Sequence, residues 1–432
     1  MSFVKVKNNR VFREVLEFET AKKILDIISK KHPHDERVVE TTIFSEEKKL
    51  LEHEYISPII HSGEYTTSMA LDVALVSVEM ALEYLKSGIF MCDALPHNYT
   101  YYNGRWILYD FGAFELSPKN VKTFVRNIFK VTVSSLELLI ILTRKELREY
   151  FLNRISHSKF SKMTNLKNFL SFTFKSQLCL LFCSLNFNKE AYTLAKIYLD
   201  EYNKKFKRKY FENNISECEK YLYAKIDNFI EQMSAKNTFC VGLNGAKWSV
   251  NSTANCNNFV YIDDYDDCDD FYNYIYKNDL KNISTAVVYP FFDDEKIDKD
   301  IRFRALYDRF AKERFSADVA IFVGVNEILS EAVCLNSNFL ENLSDFANNA
   351  IFLSFYSHTS DLFITDFLKK LGLYFKNIKT ERDGSYIYIY ATDKSKHNTK
   401  SSLTYPNANR CNYADIHSEK LIELINKTSH KK

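Results

Sequence analysis

Apolar positions change their spacing twice along this chain. In the first stretch, Val11-Phe12-Arg13-Glu14-Val15 alternates like a short strand, Glu19 to Lys31 carries helical spacing, and Thr41-Thr42-Ile43-Phe44 is strand-like. Ser45 stands as an N-cap before a Glu/Lys/Leu-rich run that predicts a helix ending near Glu54. Leu71, Ala74, Leu75, Val78, Leu82 and Leu85 recur at helical intervals within 66–87, and Gly88 ends that helix. A loop over 91–104 follows, then a strand over Arg105 to Tyr109, with Asn103-Gly104 as a tight hairpin turn.

From about 117 to 235 the pattern is almost entirely helical, through Val121–Ile140, Lys145–Ile155, Leu166–Leu185, Lys189–Phe206 and Ile215–Met233. Ser234-Ala235-Lys236-Asn237 breaks it. Strands are then predicted at Thr238–Leu243, Phe259–Ile262, Ala286–Pro290, Val319–Val325, Ala350–Phe355 and Tyr386–Ala391. Helices are predicted between them at Asp269–Tyr276, Ile301–Lys312, Ile328–Leu343 and Thr359–Leu371. Such alternation is the signature of an α/β sheet. The expected organisation is an α+β module over 1–116, a helical lobe or connector over 117–235, a Rossmann-like domain over 236–395 and a polar tail over 396–432.

Composition narrows the function classes. A chain of 432 residues with 46% hydrophobic and 15% aromatic content can bury real cores, so global disorder is excluded. A net charge of +2 lacks the basic excess of phosphate-driven nucleic-acid binders, and Lys204 to Lys209 reads as a solvated helix end. The nine cysteines are scattered without a Cys-x-x-Cys pair, which suits a reducing cytoplasm. The apolar stretch Val131 to Leu142 is too short to span a bilayer, and the first residues show no apolar signal region. A cytoplasmic protein is expected.

The most informative segment is 88–115. Asp93 and Asn98 stand five positions apart, and the strand after them delivers Asp110-Phe111-Gly112. A kinase-type catalytic loop needs this layout: one Asp facing the acceptor, an Asn and a second Asp holding metal on nucleotide phosphate. Asp93 is thus a candidate catalytic residue, Asn98 and Asp110 are candidate magnesium ligands, and ATP is the candidate nucleotide. Residues 1–60 contain no Gly-rich loop and no clear Val-Ala-x-Lys strand, so a complete nucleotide-binding small lobe is not visible. These polar groups could equally cap and brace a hairpin.

Glu52-His53-Glu54-Tyr55-Ile56-Ser57-Pro58, Glu64 to Met69 and Gly88 to Glu115 together resemble the NoeA-like nodulation-protein family, over roughly residues 1–395. That family is described as S-adenosylmethionine-dependent methyltransferases, some tied to glycan decoration. The resemblance implies a Rossmann-like class I methyltransferase sheet behind a mostly helical N-terminal half with a kinase-like hairpin. It places the cofactor turn at Phe239 to Ser249, where Gly242, Asn244 and Ser249 match the pattern Asp-Leu-Gly-x-Asn-x-Gly-x-Phe-Ser. Cys240 stands for the motif acid and Ala246 for the last glycine. Asp263, after the second strand, would accept the ribose hydroxyls. Asn326-Glu327 replaces a His-His pair, so an acid–base role falls to Glu327; Ser354 replaces a Glu.

Three readings follow. The first is a methyltransferase using S-adenosylmethionine on a surface glycan or a related small acceptor. The second is an ATP- and magnesium-dependent phosphotransferase or ligase working through Asp93, Asn98 and Asp110. The third is a non-catalytic partner of glycan-assembly enzymes. No nucleic-acid partner and no transmembrane segment are expected.

Overall fold

The computed structural model describes residues 4–7, 10–57, 59–60, 65–132, 166–262, 265–286, 315–325 and 337–395. The helices expected at Lys145–Ile155 and Ile301–Lys312, the candidate residues Asp263 and Glu327, and the tail lie outside them.

The first module is richer in strand than the sequence suggests. β1 (Val4–Lys7) and β2 (Arg10–Glu14) form one hairpin, α1 (Phe18–Lys31) follows, and β3 (Thr41–Ser45) and β4 (Leu50–Glu54) form a second hairpin. They make a four-stranded antiparallel sheet in the order β1-β2-β4-β3. The helix expected from Ser45 to Glu54 is therefore corrected to a turn and a strand. Lys49 adopts a left-handed φ of 53° there, and its N–H bonds the Glu46 carbonyl at 3.2 Å. β4 buries Leu51 and His53 and leaves Leu50, Glu52 and Glu54 partly exposed, a period of two that a polar His conceals.

α2 (Thr67–Leu85) is the central helix of this half. Thr66 caps it by accepting the Met69 N–H at 3.3 Å, and Met69, Leu71, Val73, Ala74, Val78, Met80, Ala81 and Tyr84 are buried on several sides. β5 (Phe90–Met91) pairs antiparallel with β8 (Phe114–Glu115), and β6 (Tyr99–Tyr102) with β7 (Arg105–Leu108). Asn103 and Gly104 take φ of 51° and 76°, as the tight turn requires. The link after α1 clamps the sheet to this hairpin: the Val39 N–H bonds the Leu108 carbonyl at 3.0 Å and the Leu108 N–H the Arg37 carbonyl at 2.8 Å.

α3 (Val121–Thr132), α4 (Leu166–Ser184), α5 (Asn188–Lys205) and α6 (Glu217–Met233) follow. A capping box starts α6: the Glu219 N–H bonds Ser216 Oγ at 3.3 Å, and the Ser216 N–H bonds Glu219 Oε2 at 2.6 Å. Ser234, at φ 49°, stops it.

The second half is a seven-stranded sheet built from β9 (Asn237–Val241), β10 (Asn257–Tyr261), β11 (Ile283–Ala286), β12 (Ala317–Phe322), β13 (Ala347–Tyr356), β14 (Phe375–Arg382) and β15 (Tyr386–Lys394). The order is β11-β10-β9-β12-β13-β15-β14. The pairs from β11 to β13 are parallel, and β15 runs antiparallel to both its neighbours. The helices of this half are α7 (Gly242–Asn251), α8 (Tyr265–Lys277), α9 (Ser337–Phe346) and α10 (Asp361–Leu371). Helices cover both faces. On one, α7 packs Gly245 against Cys240, and α6 sets Phe229 against Phe352 with ring centroids 6.1 Å apart. On the other, Phe346 of α9 stacks on Phe239 at 4.5 Å, and Phe367 of α10 meets Phe355 at 5.2 Å. The packing partner of α6 thus lies across the boundary expected near 235.

Candidate functional site

Two places gather the candidate residues. The first is the carboxyl edge of the parallel sheet. Chain direction divides between β9 and β12: β10 and β11 extend the sheet one way from β9, and β13 extends it the other way from β12. Such a switch point opens a crevice beyond the strand ends. Gly242 follows β9 directly with φ 74°, and Gly324 lies two residues past β12 with φ 66°. Both sit in the left-handed region, where an L side chain is strained. The backbone therefore turns sharply and without side chains on both sides of the crevice.

The groups around these glycines have defined roles. Cys240 is fully buried, and burial holds its thiol well above its ordinary range, so it supplies no charge. Gly245 lets α7 close on β9, since a Cβ there would stand 3.2 Å from Cys240 Cβ. Ser249 Oγ donates to the Ala246 carbonyl at 2.8 Å, so its hydroxyl is engaged inside its own helix. Trp248 points to α6 and donates Nε1–H to Asp227 at 2.9 Å. Asn244 is half-buried in the first turn of α7. Ser354 of β13 accepts the Gly324 N–H at 3.0 Å and is completely buried, so it fixes this turn. Gly242 is thus at the crevice, and the Ser249 hydroxyl is taken up by the Ala246 carbonyl. The stabilising role of Ser354 had no signal in the sequence.

The second place is the crease between the four-stranded sheet and the 93–113 loop. The loop folds back on itself: the Asp93 N–H bonds the Ala113 carbonyl at 3.3 Å, and the Tyr109 N–H bonds the Asn98 carbonyl at 2.9 Å. Asn98 is buried and gives Nδ2–H to the Asp93 carbonyl at 2.5 Å. Asp110 caps the short 3-10 turn Phe111–Ala113, accepting the Gly112 N–H at 2.8 Å. The structure therefore brings Asp93, Asn98 and Asp110 onto one connected loop. Among the described residues, no three His, Cys, Asp or Glu side chains converge as a metal-holding group.

Sequence reasoning missed two residues here. Arg13 of β2 forms an ion pair with Asp110, 97 positions away. His53 of β4 pairs in register with Val11, two residues from Arg13, so it shares the sheet face of Arg13. It is 5% exposed, bonds Thr41 Oγ1 through Nδ1 at 2.8 Å, and leaves Nε2 buried without a hydrogen-bond partner. Burial, with some help from Arg13 and against Asp110, lowers its pKa to about 4.

The two halves are joined by buried polar contacts. Arg208 meets Asp72 of α2 with two hydrogen bonds, of 2.5 and 2.8 Å, and crosses to α8 by donating to Asn273 Oδ1 at 3.1 Å. Tyr272 of α8 donates to Asp72 at 2.9 Å and accepts from Trp106 Nε1 at 3.0 Å. Asp269 of α8 accepts from both N–H and Oγ of Ser68 at 2.9 Å.

No family model and no curated protein matches the chain. Solved structures similar to it include EvdMO1, at 12% identity and TM-score 0.28 over 40% of this chain; the match spans only 40% of the EvdMO1 chain. The N-terminal domain of EvdMO1 with SAH bound is similar at 10% identity and TM-score 0.27, over 40% of this chain and 81% of that one. An rRNA methylase from Escherichia coli is similar at 14% identity and TM-score 0.29, over 51% of this chain and 77% of that one.

Proposed function

We propose that this chain is a transferase of the class I methyltransferase type, using S-adenosylmethionine at the β9/β12 crevice and acting on a glycan or related small acceptor. The observation that carries the reading is the sheet itself: a doubly wound order with β15 inserted antiparallel next to β13, and left-handed glycines Gly242 and Gly324 at the switch point. The inserted reversed strand sets this order apart from the dinucleotide-binding one and suits the methyltransferase form of the fold.

S-adenosylmethionine supplies an electrophilic methyl group on a sulfonium. Gly242 and Gly324 would let backbone approach it, and Asn244 would face it from the first turn of α7. Asp263 and Glu327 remain the proposed ribose acceptor and acid–base residue. With Cys240 in place of the motif acid, β9 offers no carboxylate to the cofactor ammonium. The acceptor side is proposed to be the N-terminal half, because Ser68 at the start of α2 is bonded to Asp269 on α8, the helix that follows β10.

Thermal-shift and calorimetric titration with S-adenosylhomocysteine tests the reading, since a ligand of the folded state raises the melting temperature by mass action. Stabilisation that disappears in Gly242→Val supports it. No shift at millimolar ligand, or an unchanged shift in Gly242→Val, refutes the placement.

A further inference from the structure

We propose that the crease between the four-stranded sheet and the 93–113 loop binds a neutral, hydroxyl-rich ligand of the sugar class, whose hydroxyl groups donate to His53 Nε2 and Asp110 Oδ2 and accept from Arg13. The inference is independent of methyl transfer and of the β9/β12 crevice.

Three observations carry it. The first is the tautomer of His53. Thr41 Oγ1 gives its own hydrogen to the Val39 carbonyl at 3.0 Å, so its contact with His53 Nδ1 at 2.8 Å makes Nδ1 the donor. The ring is neutral near pH 7, since its pKa lies at about 4. Nε2 is then a lone-pair acceptor, buried and without a donor. Such a group is costly in a finished core. A hydroxyl satisfies it, whereas an ionised carboxylate or sulfate brings no hydrogen.

The second is where that nitrogen lies. Nδ1 bonds β3 of the same sheet, and Nε2 is a distal corner of a ring that rises from the sheet face shared with Arg13. The Phe111 ring centre of the facing loop stands 6.3 Å from the imidazole, and Arg13 and Asp110 are within electrostatic reach. His53 is 5% exposed, while the ion-paired side chains of Arg13 and Asp110 are 23% and 20% exposed. The crease is therefore open to water at the pair and dry at the ring.

The third is what the pair leaves over. Both contacts of the Asp110 carboxylate, from Arg13 Nη1 and from the Gly112 N–H, fall on Oδ1. Among the described residues, nothing donates to Oδ2, and Arg13 Nε and Nη2 have no hydrogen-bond acceptor. The open groups are thus acceptors beside a cationic donor, with the charge of the pair already balanced. Neighbouring hydroxyls, each donor and acceptor at once, match such a set. An anion would meet the lone pairs of His53 and Asp110, and a cation would meet Arg13.

The test is NMR of the full chain with labelled histidine nitrogen, using the methyl glycosides of glucose, galactose, mannose and rhamnose as probes and ligand-observed saturation transfer for affinity. In the free chain the His53 Nε2 resonance, assigned by its loss in His53→Phe, is expected at the position of an unprotonated, unbonded ring nitrogen. A bound glycoside should move it to lower frequency as the nitrogen accepts a hydrogen bond. His53→Phe keeps the bulk of the ring and removes the acceptor. It should weaken the glycoside by about 10-fold or more, yet leave the melting temperature equal or higher, because an unpaired buried polar atom is gone. Sulfate should not displace the glycoside. No saturation transfer to any of these glycosides at high millimolar concentration overturns the proposal. So do binding unchanged in His53→Phe, displacement by sulfate, and an Nε2 resonance that a bound glycoside does not move.

Discussion

Replacing Arg208 by leucine should weaken the junction between the two halves more than any surface change could. Arg208 is 15% exposed at its side chain and Asp72 5%, so both charges are largely removed from water. Without the guanidinium, Asp72 keeps the Tyr272 hydroxyl, at 2.9 Å, as its other recorded donor. Breaking a buried pair on one side costs about 3–5 kcal/mol, because a charge is left uncompensated. Burial already pushes the Asp72 carboxyl above its ordinary value even with Arg208 present, and losing Arg208 pushes it higher. The sign follows: the folded variant then binds a proton that the unfolded chain releases. The variant therefore regains stability on acidification, by up to about 1.4 kcal/mol per pH unit. Urea unfolding of both chains at pH 8 and pH 5.5 measures this. Fluorescence of Trp106, which bonds Tyr272, reports the junction, and far-UV circular dichroism reports the whole. Arg208→Leu with Asp72→Asn should recover more than half of the loss. A cost below about 1 kcal/mol at pH 8, or the same cost at both pH values, would refute the assignment of a buried, energetically coupled pair.

Three further outcomes are expected. His53 has an ordinary value of 6.5, lowered to about 4 mainly by burial, so between these values the unfolded chain takes up a proton that the folded chain refuses. Stability should fall as pH drops through that window, by about 3 kcal/mol in total, and His53→Gln should remove this part of the slope in urea titrations at pH 7 and pH 4.5. Asp227 accepts from Trp248 Nε1, Ser252 Oγ, and both N–H and Oγ of Thr253, so Asp227→Leu should cost about 3 kcal/mol or more by the same assay. Gly242→Ala should cost about 1–2 kcal/mol from its left-handed φ alone, read as a lowered melting temperature.

The sheet of the second half was largely legible because its strands are buried on both faces and read as short apolar runs. Phe239-Cys240-Val241, Phe259-Val260-Tyr261 and Val319 to Phe322 are examples. β14 was not legible. It is an edge strand, Phe375-Lys-Asn-Ile-Lys-Thr-Glu-Arg382, whose charges face solvent and leave no apolar period. β4 was hidden differently: Glu and Lys favour a helix locally, and only pairing with β2 and β3 overrides that preference. The loop residues Asp93, Asn98 and Asp110 could be found because they are close in sequence. Arg13 and His53 could not, since strand pairing alone brings them to that loop. At the crevice, Gly242 showed in the sequence, but Gly324 did not, since it lies within the run expected as the strand Val319–Val325, and the bond of Ser249 to the Ala246 carbonyl depends on a helix that starts without a loop at Gly242.

The most direct test of the central claim is calorimetric titration of the full chain with S-adenosylhomocysteine, alongside Gly242→Val. The account predicts one site per chain in the wild type and none in the variant, with the two circular dichroism spectra superimposable. Absence of binding to the wild type at millimolar ligand, or equal binding to both, would contradict it.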